Sequence, residues 1–214
     1  MIERQPGILA IWNDCRVGRE AEFDAWFQSE HLLERLAVPG FLYGRRHQAI
    51  SGSSGYFNFY LVESPDVLTS KPYLERLDNP TPTTKLIMSE VFLNMNRTVC
   101  RRMVRQGGFR GAYAVTARLN AIPNENVLKA TLHALMPDTA VASGEIWIAL
   151  DPRGMPVSQE EKLRGGDKKI KGAFMAETLH QRDAELLGEK LKKEYPAADV
   201  GVFRVLCQLG RGDL

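Results

Sequence analysis

The stretch from Phe23 to Arg46 limits the fold more than any other part of the chain. Its apolar residues recur at the i, i+3 and i+4 spacing of a helix that packs on one face. Pro39-Gly40 ends this helical pattern, and the residues from 41 to 50 are typical of a strand. A helix joined to a strand by so short a turn predicts helices that lie against a sheet.

The same order of elements occurs twice along the chain. The order strand, helix, strand, strand, helix, strand is indicated for residues 7–104 and, more weakly, for residues 112–209. A glycine-rich joint at residues 105–111 separates the two passes. We therefore expect an α+β protein of two tandem ferredoxin-like units, with domains at residues 1–106 and 107–214.

Composition excludes several classes of partner. The 214 residues are 44% hydrophobic and 25% charged, as is usual for a globular protein, and the net charge of +2 gives no electrostatic case for nucleic acid. No apolar run is long enough to span a membrane, and the first residues do not form a signal peptide. Three widely spaced cysteines favour reduced thiols over disulfides or a zinc site. We expect a cytoplasmic protein without a bound metal.

A family resemblance is carried by the segment from Glu22 to His31, by Glu34, by Val38-Pro39-Gly40-Phe41 and by Arg45-Arg46. Over residues 7–62 the chain resembles the dimeric α/β-barrel superfamily, and it is most similar to the EthD-like and uncharacterised bacterial members. The resemblance implies two sheets packed as a barrel, with a small-molecule pocket between each sheet and its helices. A tandem copy would form this barrel within one chain as a pseudo-dimer; a further homodimer is left open.

His31 is the candidate catalytic residue, since it matches the histidine that recurs in that superfamily. Imidazole is an effective acid–base group near neutral pH, and a neighbouring carboxylate, Glu30 or Glu34, would raise its pKa and orient the ring. Two structural alternatives stand beside this role. His31 could instead cap the end of its helix, and the two carboxylates could pair with Arg45 or Arg46 of the next strand.

Alternation along the predicted strands supplies candidate ligand contacts. Tyr56, Asn58 and Tyr60 share one face of their strand, opposite a greasy face that contains Phe57 and Phe59. A polar face of this kind fits either a ligand cavity or a wet interface between the two sheets. The candidate substrate-binding residues are Trp12, Phe27, Tyr43, Arg45, His47, Asn58 and Tyr60.

The second unit lacks the signature of the first. His133 points away from the apolar stripe of its helix and is expected at the surface. The segment from Asp151 to Lys169 is long for a hairpin connection and rich in charge. We expect a solvated loop there, with a cationic lid over an anionic ligand as the alternative.

The superfamily includes lactone isomerases, polyketide cyclases, haem enzymes and cofactor-free monooxygenases. With no nucleotide-binding loop, serine-hydrolase elbow or metal-ligand spacing in the sequence, the first hypothesis is a cofactor-independent isomerase, cyclase or lyase. It would act on a small aromatic or carbonyl-containing molecule through histidine acid–base catalysis. One alternative is a non-catalytic small-molecule-binding or assembly protein. The other is a haem-dependent or cofactor-free oxygenase.

Overall fold

Eight antiparallel strands close into a barrel in the order β1-β3-β2-β8-β5-β7-β6-β4. The structure, a computed structural model, describes residues 5–136, 140–151 and 157–214. The strands are β1 (Gly7–Cys15), β2 (Phe41–Ser51), β3 (Tyr56–Val62), β4 (Phe92–Gln106), β5 (Tyr113–Leu119), β6 (Val141–Ala149), β7 (Gly172–Thr178) and β8 (Asp199–Gly210).

Each half of the chain contributes four neighbouring strands to the barrel. Within each half the strands lie in the order fourth, first, third, second, which is the ferredoxin-like arrangement. The β2–β8 and β4–β6 pairs join the two halves into one closed sheet. The expected α+β barrel, formed within a single chain, is therefore confirmed, and closure leaves no sheet edge unpaired.

Helices cover the outside of the barrel. They are α1 (Glu20–Trp26), a π turn (Phe27–His31), α2 (Leu32–Ala37), a 3₁₀ turn (Pro65–Thr69), α3 (Lys71–Asp78), α4 (Pro82–Leu86), a second π turn (Ile87–Val91), α5 (Glu125–Leu135), α6 (Gln159–Leu163), α7 (Gln181–Glu194) and a 3₁₀ turn (Arg211–Asp213). None of the described helices is long and apolar enough to cross a membrane.

Three apolar cores hold these layers together. One lies between the helices and the sheet of the first half, around Phe23 and Tyr60, and a second lies at the corresponding place in the second half. The third fills the inside of the barrel, where the ring of Phe57 packs against those of Trp12 and Trp147. The barrel is thus a packed core, and space for a ligand has to lie outside the sheet, under the helices.

The connection between β6 and β7 differs from the expected solvated loop. Residues 159–163 form α6, in which Glu160 is buried, and Leu163 packs against the core of the first half. Lys168 then forms a short parallel bridge with Asn96 of β4. Residues 152–156 of this connection lie outside the described residues. A segment that belongs to the second half therefore lies over the first half.

Candidate functional site

A small polar cavity lies between the sheet of the first half and its helices. Its volume is about 30 Å³, which accommodates water or a single small chemical group. Drug-sized ligands need roughly 300 Å³ or more. The polar side chains that line it are His31, Arg35, Asn58, Tyr60, Tyr73, Arg97, Glu160 and Arg164.

The π turn places His31 in this cavity. The sequence pattern put Glu30 near the middle of the buried face of the helix and His31 on its flank. A π turn adds a residue to the helical turn and so shifts the buried face along the chain. As a result Phe27, His31 and Leu32 are buried, whereas Glu30 is only half-buried. His31 lies in the middle of the helical segment, so the alternative that it caps the helix end is wrong.

His31 is buried as a neutral imidazole. Only 7% of its surface is exposed, and its ring centroid lies 4.2 Å from that of Trp26. Burial, together with the positive charges of Arg35 and Arg164, holds the pKa of His31 well below its usual range. Its Nδ1 has no hydrogen-bond partner among the described residues. The expected rise in pKa from a neighbouring carboxylate is therefore reversed, and a free ring nitrogen is available near neutral pH.

Other buried polar atoms around the cavity also lack partners. They are the Tyr60 hydroxyl, Asn58 Oδ1 and Arg35 Nη1, all without a hydrogen bond to a described residue. Burial raises the pKa of Tyr60, so its hydroxyl stays protonated and can donate. Leaving a buried polar group unpaired costs roughly 1–3 kcal/mol. A water molecule or a polar group of a ligand in this cavity would satisfy several of these atoms.

Arginines dominate the electrostatics on the side of the cavity that α6 closes. Arg35 forms a buried salt bridge with Glu160. Arg164 lies 3.6 Å from the other oxygen of Glu160, and its Nη2 lies 2.8 Å from Asp167. Arg97 donates from Nη2 to the Tyr73 hydroxyl at 2.5 Å.

The structure separates the predicted contact residues into two groups. Phe27, Asn58 and Tyr60 line the cavity with His31. Trp12, Tyr43, Arg45 and His47 lie on the opposite face of the sheet, inside the barrel. Successive residues of a strand point to opposite faces, so the two groups cannot share one pocket. The second group lies inside the barrel, on the side of Phe57 and Phe59. The polar face of β3 turns toward the helices, so its interpretation as an interface between the two sheets is wrong.

The two predicted carboxylates are paired away from His31. Burial raises the pKa of Glu30, but hydrogen bonds from the Thr81 and Thr84 hydroxyls outweigh this and hold the pKa below its usual value. Glu34 lies 3.4 Å from Arg76. The expectation that they pair with the arginines of β2 is wrong.

Those two arginines of β2 have other partners. Arg45 pairs with Glu177, and Arg46 lies 2.8 Å from Asp24. Within the described residues, the roles proposed for Glu30 and Glu34 at the ring of His31 therefore have no contact to support them.

Sequence reasoning missed Arg35, Arg97, Glu160 and Arg164. Arg35 follows His31 by four residues, so helical spacing alone places it on the same face. Glu160 and Arg164 are also four apart, a spacing typical of an ion pair on a helix. Nothing local in the sequence indicates that this second helix meets the first half.

Comparison with known proteins relates the fold to solved structures. No protein-family model and no curated protein matches the sequence. An anthrone oxidase-like protein superposes with a TM-score of 0.69 at 11% identity, over 100% of this chain and 96% of that one. A protein from Fusobacterium nucleatum described as a monooxygenase gives 0.61 at 8% identity, over 100% and 98%. The fold is that of the dimeric α/β barrels. Identities this low establish the fold and leave the reaction open.

Two further neighbours share this fold, and one of them is described as haem-binding. A protein described as a chlorite dismutase superposes with a TM-score of 0.54 at 10% identity, over 98% of this chain and 97% of that one. A haem-binding protein from Thermus thermophilus gives 0.51 at 10% identity, over 95% and 92%.

Neither the cavity at His31 nor the groove beside α6 fits haem. The cavity at His31, at about 30 Å³, is far too small for a porphyrin. A groove of about 810 Å³ beside α6 has the volume, but none of its described lining residues is a His, Cys, Met or Tyr that could serve as an axial ligand. Nor do the described residues contain a cluster of three or more His, Cys, Asp and Glu that could hold a metal ion.

Proposed function

We propose that the protein is a cofactor-independent enzyme that removes a proton from a small carbonyl-containing or aromatic molecule. The observation that carries this proposal is the unpartnered Nδ1 of His31, a buried neutral imidazole on the wall of a polar cavity. A neutral imidazole accepts a proton directly, and general-base catalysis of this kind contributes about 10²–10⁴-fold to a rate. His31 is the proposed catalytic base.

The anion left by the substrate would be held by donors on the same wall. The Tyr60 hydroxyl and Arg35 Nη1 both lack partners and can donate to a developing enolate or phenolate oxygen. Proton transfer creates an imidazolium and an anion together. The arginines that disfavour the imidazolium therefore stabilise the anion, and the two effects offset each other.

The proposal places the body of the substrate in the groove beside α6. This groove of about 810 Å³ borders α6 at Ser158 and Glu161 and shares Leu77 and Arg97 with the cavity. The smaller cavity then receives only the reacting group. Phe27 and Asn58 would contact that group, as expected from the sequence.

Two outcomes follow from the same first step. Return of the proton to another carbon gives an isomerase. Attack of the carbanion on a carbonyl of the same molecule, with the proton passed to the resulting alkoxide, gives a cyclase, and expulsion of a neighbouring substituent that takes up the proton gives a lyase. Likeness to the anthrone oxidase-like protein and to the protein described as a monooxygenase favours an oxygenase as the second candidate. In that case the C–H bond breaks, O₂ adds to the carbanion to form a C–O bond, and the proton moves to the terminal oxygen, giving a hydroperoxide.

Deuterium exchange tests the shared step. Anthrone, whose CH₂ group lies next to aromatic rings and opposite a carbonyl, is incubated with the protein in D₂O without oxygen, and exchange is followed by NMR. We expect exchange above the uncatalysed rate, its loss in His31→Gln, and no change in His133→Gln, since His133 is exposed on α5. Equal exchange with His31→Gln and the unmodified protein would overturn the proposal.

An oxygen electrode separates the two candidate outcomes. Uptake of O₂ in proportion to anthrone consumed, abolished in His31→Gln, supports the oxygenase. Exchange without O₂ uptake supports the isomerase, cyclase or lyase. Binding of anthrone without either signal identifies a non-catalytic binding protein.

A further inference from the structure

The charges around the cavity do not balance. Arg35, Arg97 and Arg164 line the cavity. The carboxylates beside them are Glu160, close to Arg35 and Arg164, and Asp167, which pairs with Arg164. Two nearby arginines have carboxylate partners of their own: Arg46 pairs with Asp24, and Arg76 pairs with Glu34. His31 is neutral because its pKa is depressed. On the wall of the cavity itself, three arginines against the two carboxylates of Glu160 and Asp167 leave one positive charge in excess.

The excess charge lies at Arg35 and Arg97. Arg164 is held by Asp167 through two hydrogen bonds, of 3.0 and 2.8 Å, and Lys169 lies 3.8 Å from Glu161. Arg97 forms no salt bridge with a described residue, and the Tyr73 hydroxyl accepts its hydrogen bond. Arg35 uses Nη2 for Glu160 and leaves Nη1 without a partner.

The Tyr73 ring lies close to both of these guanidinium groups. The central carbon of Arg35 and that of Arg97 are each 5.9 Å from the centroid of the Tyr73 ring. Both side chains line the cavity that contains His31 and Tyr60. The unbalanced charge of Arg97 and the unpaired Nη1 donor of Arg35 therefore lie at the same small cavity. Water is scarce there, so charge interactions are strong.

We infer that this cavity binds a monoanion, a carboxylate or an ionised hydroxyl group on a small aromatic molecule, through Arg35 and Arg97. The inference deepens the proposed function of the same site and rests on it for the identity of the reacting group. A single negative charge balances the cavity with Glu160 in place, and a dianion would exceed it. A carboxylate or phenolate oxygen accepts hydrogen bonds from Arg35 Nη1 and the Tyr60 hydroxyl, satisfying two buried donors at once.

Calorimetric titration with benzoate, 4-nitrophenolate and the neutral benzamide tests the charge preference. Benzoate and benzamide have nearly the same shape and differ in charge. We expect one or both anions to bind at least tenfold more tightly than benzamide. Benzoate alone identifies a carboxylate ligand, and 4-nitrophenolate alone identifies an ionised hydroxyl. Equal binding of all three, or binding of none, overturns the inference.

Variants locate the bound charge. Arg35→Met alone would leave Glu160 buried and unpaired, so the double variant Arg35→Met/Glu160→Met is used, together with Arg97→Met. Each is expected to weaken binding of the preferred anion at least tenfold and to leave benzamide unaffected. The matched control is Arg45→Met/Glu177→Met, which removes a second buried pair from inside the barrel. Unchanged anion binding in both cavity variants overturns the inference.

His31→Gln separates this inference from the proposed function. If the unmodified protein catalyses no deuterium exchange into anthrone, but binds the anion and keeps that binding in His31→Gln, the anion site is supported and the enzyme is overturned. If the protein catalyses deuterium exchange into anthrone but binds benzoate, 4-nitrophenolate and benzamide equally, the enzyme is supported and the anion site is overturned.

Discussion

The Glu160 carboxylate from the second half of the chain forms a buried salt bridge with the Arg35 guanidinium of the first half, 125 positions away. Their side chains are only 4% and 2% exposed. The pair therefore fixes α6 over the cavity and ties the connection of one half to the helix of the other. Glu160 and Arg35 are expected to matter to stability as well as to the site.

Removing one member of this pair leaves the other buried without a counter-charge. Arg35→Met or Glu160→Met should therefore lower the free energy of unfolding by about 3–5 kcal/mol. The double variant should recover most of that loss, since two apolar side chains then replace two charges. Urea unfolding of the unmodified protein, the two single variants and the double variant gives the coupling energy between Arg35 and Glu160. Additive losses in the double variant would show that the two residues act independently.

The imidazole of His31 should titrate well below its usual pKa. Burial removes the water that would solvate an imidazolium, and four surrounding arginines repel it. NMR titration, with His31→Gln to assign the signal, is expected to show a neutral ring throughout the range from pH 8 to 6. A pKa at or above 6.5 would mean that a carboxylate or water reaches the ring, and the proposed base would then carry a proton in part of that range.

The local parts of the fold are predictable from the sequence. The stripe of Phe23, Trp26 and Phe27 and the stop at Pro39-Gly40 act over a few residues, so the helix before β2 was predicted with nearly its observed end. Alternation likewise predicted that Phe57 and Phe59 share a face. These features depend on neighbours along the chain, which the sequence displays directly.

The composition of the site depends on contacts between distant segments. Alternation separates the two faces of β2 and β3, but it does not tell which face turns into the barrel, so Arg45 and His47 were grouped with Tyr60 on the wrong side. The π turn that rotates His31 inward has no simple sequence signal. Arg35 meets Glu160 only because α6 crosses to the other half.

His47 should make the protein less stable in acid. It stacks on Phe57 inside the barrel, where burial and the charge of Arg45 lower its pKa to about 3. In the unfolded chain its pKa is about 6.5, so below that pH the unfolded state binds more protons than the folded state. The free energy of unfolding should fall by about 1.4 kcal/mol for each pH unit below 6.5 on account of this residue.

Unfolding in urea between pH 7 and 5 measures this slope. His47→Phe keeps an aromatic ring on Phe57 and should reduce the slope by about 1.4 kcal/mol per pH unit. His133→Gln, at an exposed position, should leave it unchanged. An unaltered slope in His47→Phe would assign the acid sensitivity to other groups.

Cys100 should resist alkylation in the folded protein. It lies in the interior of the barrel on β4, where burial raises the pKa of its thiol to about 12. The thiolate is the reactive form, so it is absent at pH 8. Mass spectrometry after iodoacetamide treatment should find Cys15 and Cys207, which are partly exposed, modified before Cys100. Early modification of Cys100 would indicate frequent opening of the barrel.

Gly44 and Gly144 test whether the site can be disturbed separately from the fold. A Cβ at Gly44 would lie 2.7 Å from Leu32 Cδ1 and 2.8 Å from Tyr60 Cδ1. A Cβ at Gly144 would lie 2.5 Å from Leu132 Cδ1, with no residue of the cavity nearby. Both are close approaches of helix to sheet, one in each half, and Ala at either should lower the free energy of unfolding by about 1–3 kcal/mol.

Only Gly44→Ala displaces Tyr60, whose hydroxyl is a proposed donor to the substrate anion. It should therefore reduce both anion binding and exchange of anthrone, whereas Gly144→Ala should reduce stability alone. Anion binding and deuterium exchange are compared under conditions in which the same fraction of each variant is folded, so that differences in stability do not affect the result. A similar loss of exchange in both variants would attribute the effect to general loosening of the barrel. Full exchange in Gly44→Ala would show that the position of Tyr60 is not critical to the site.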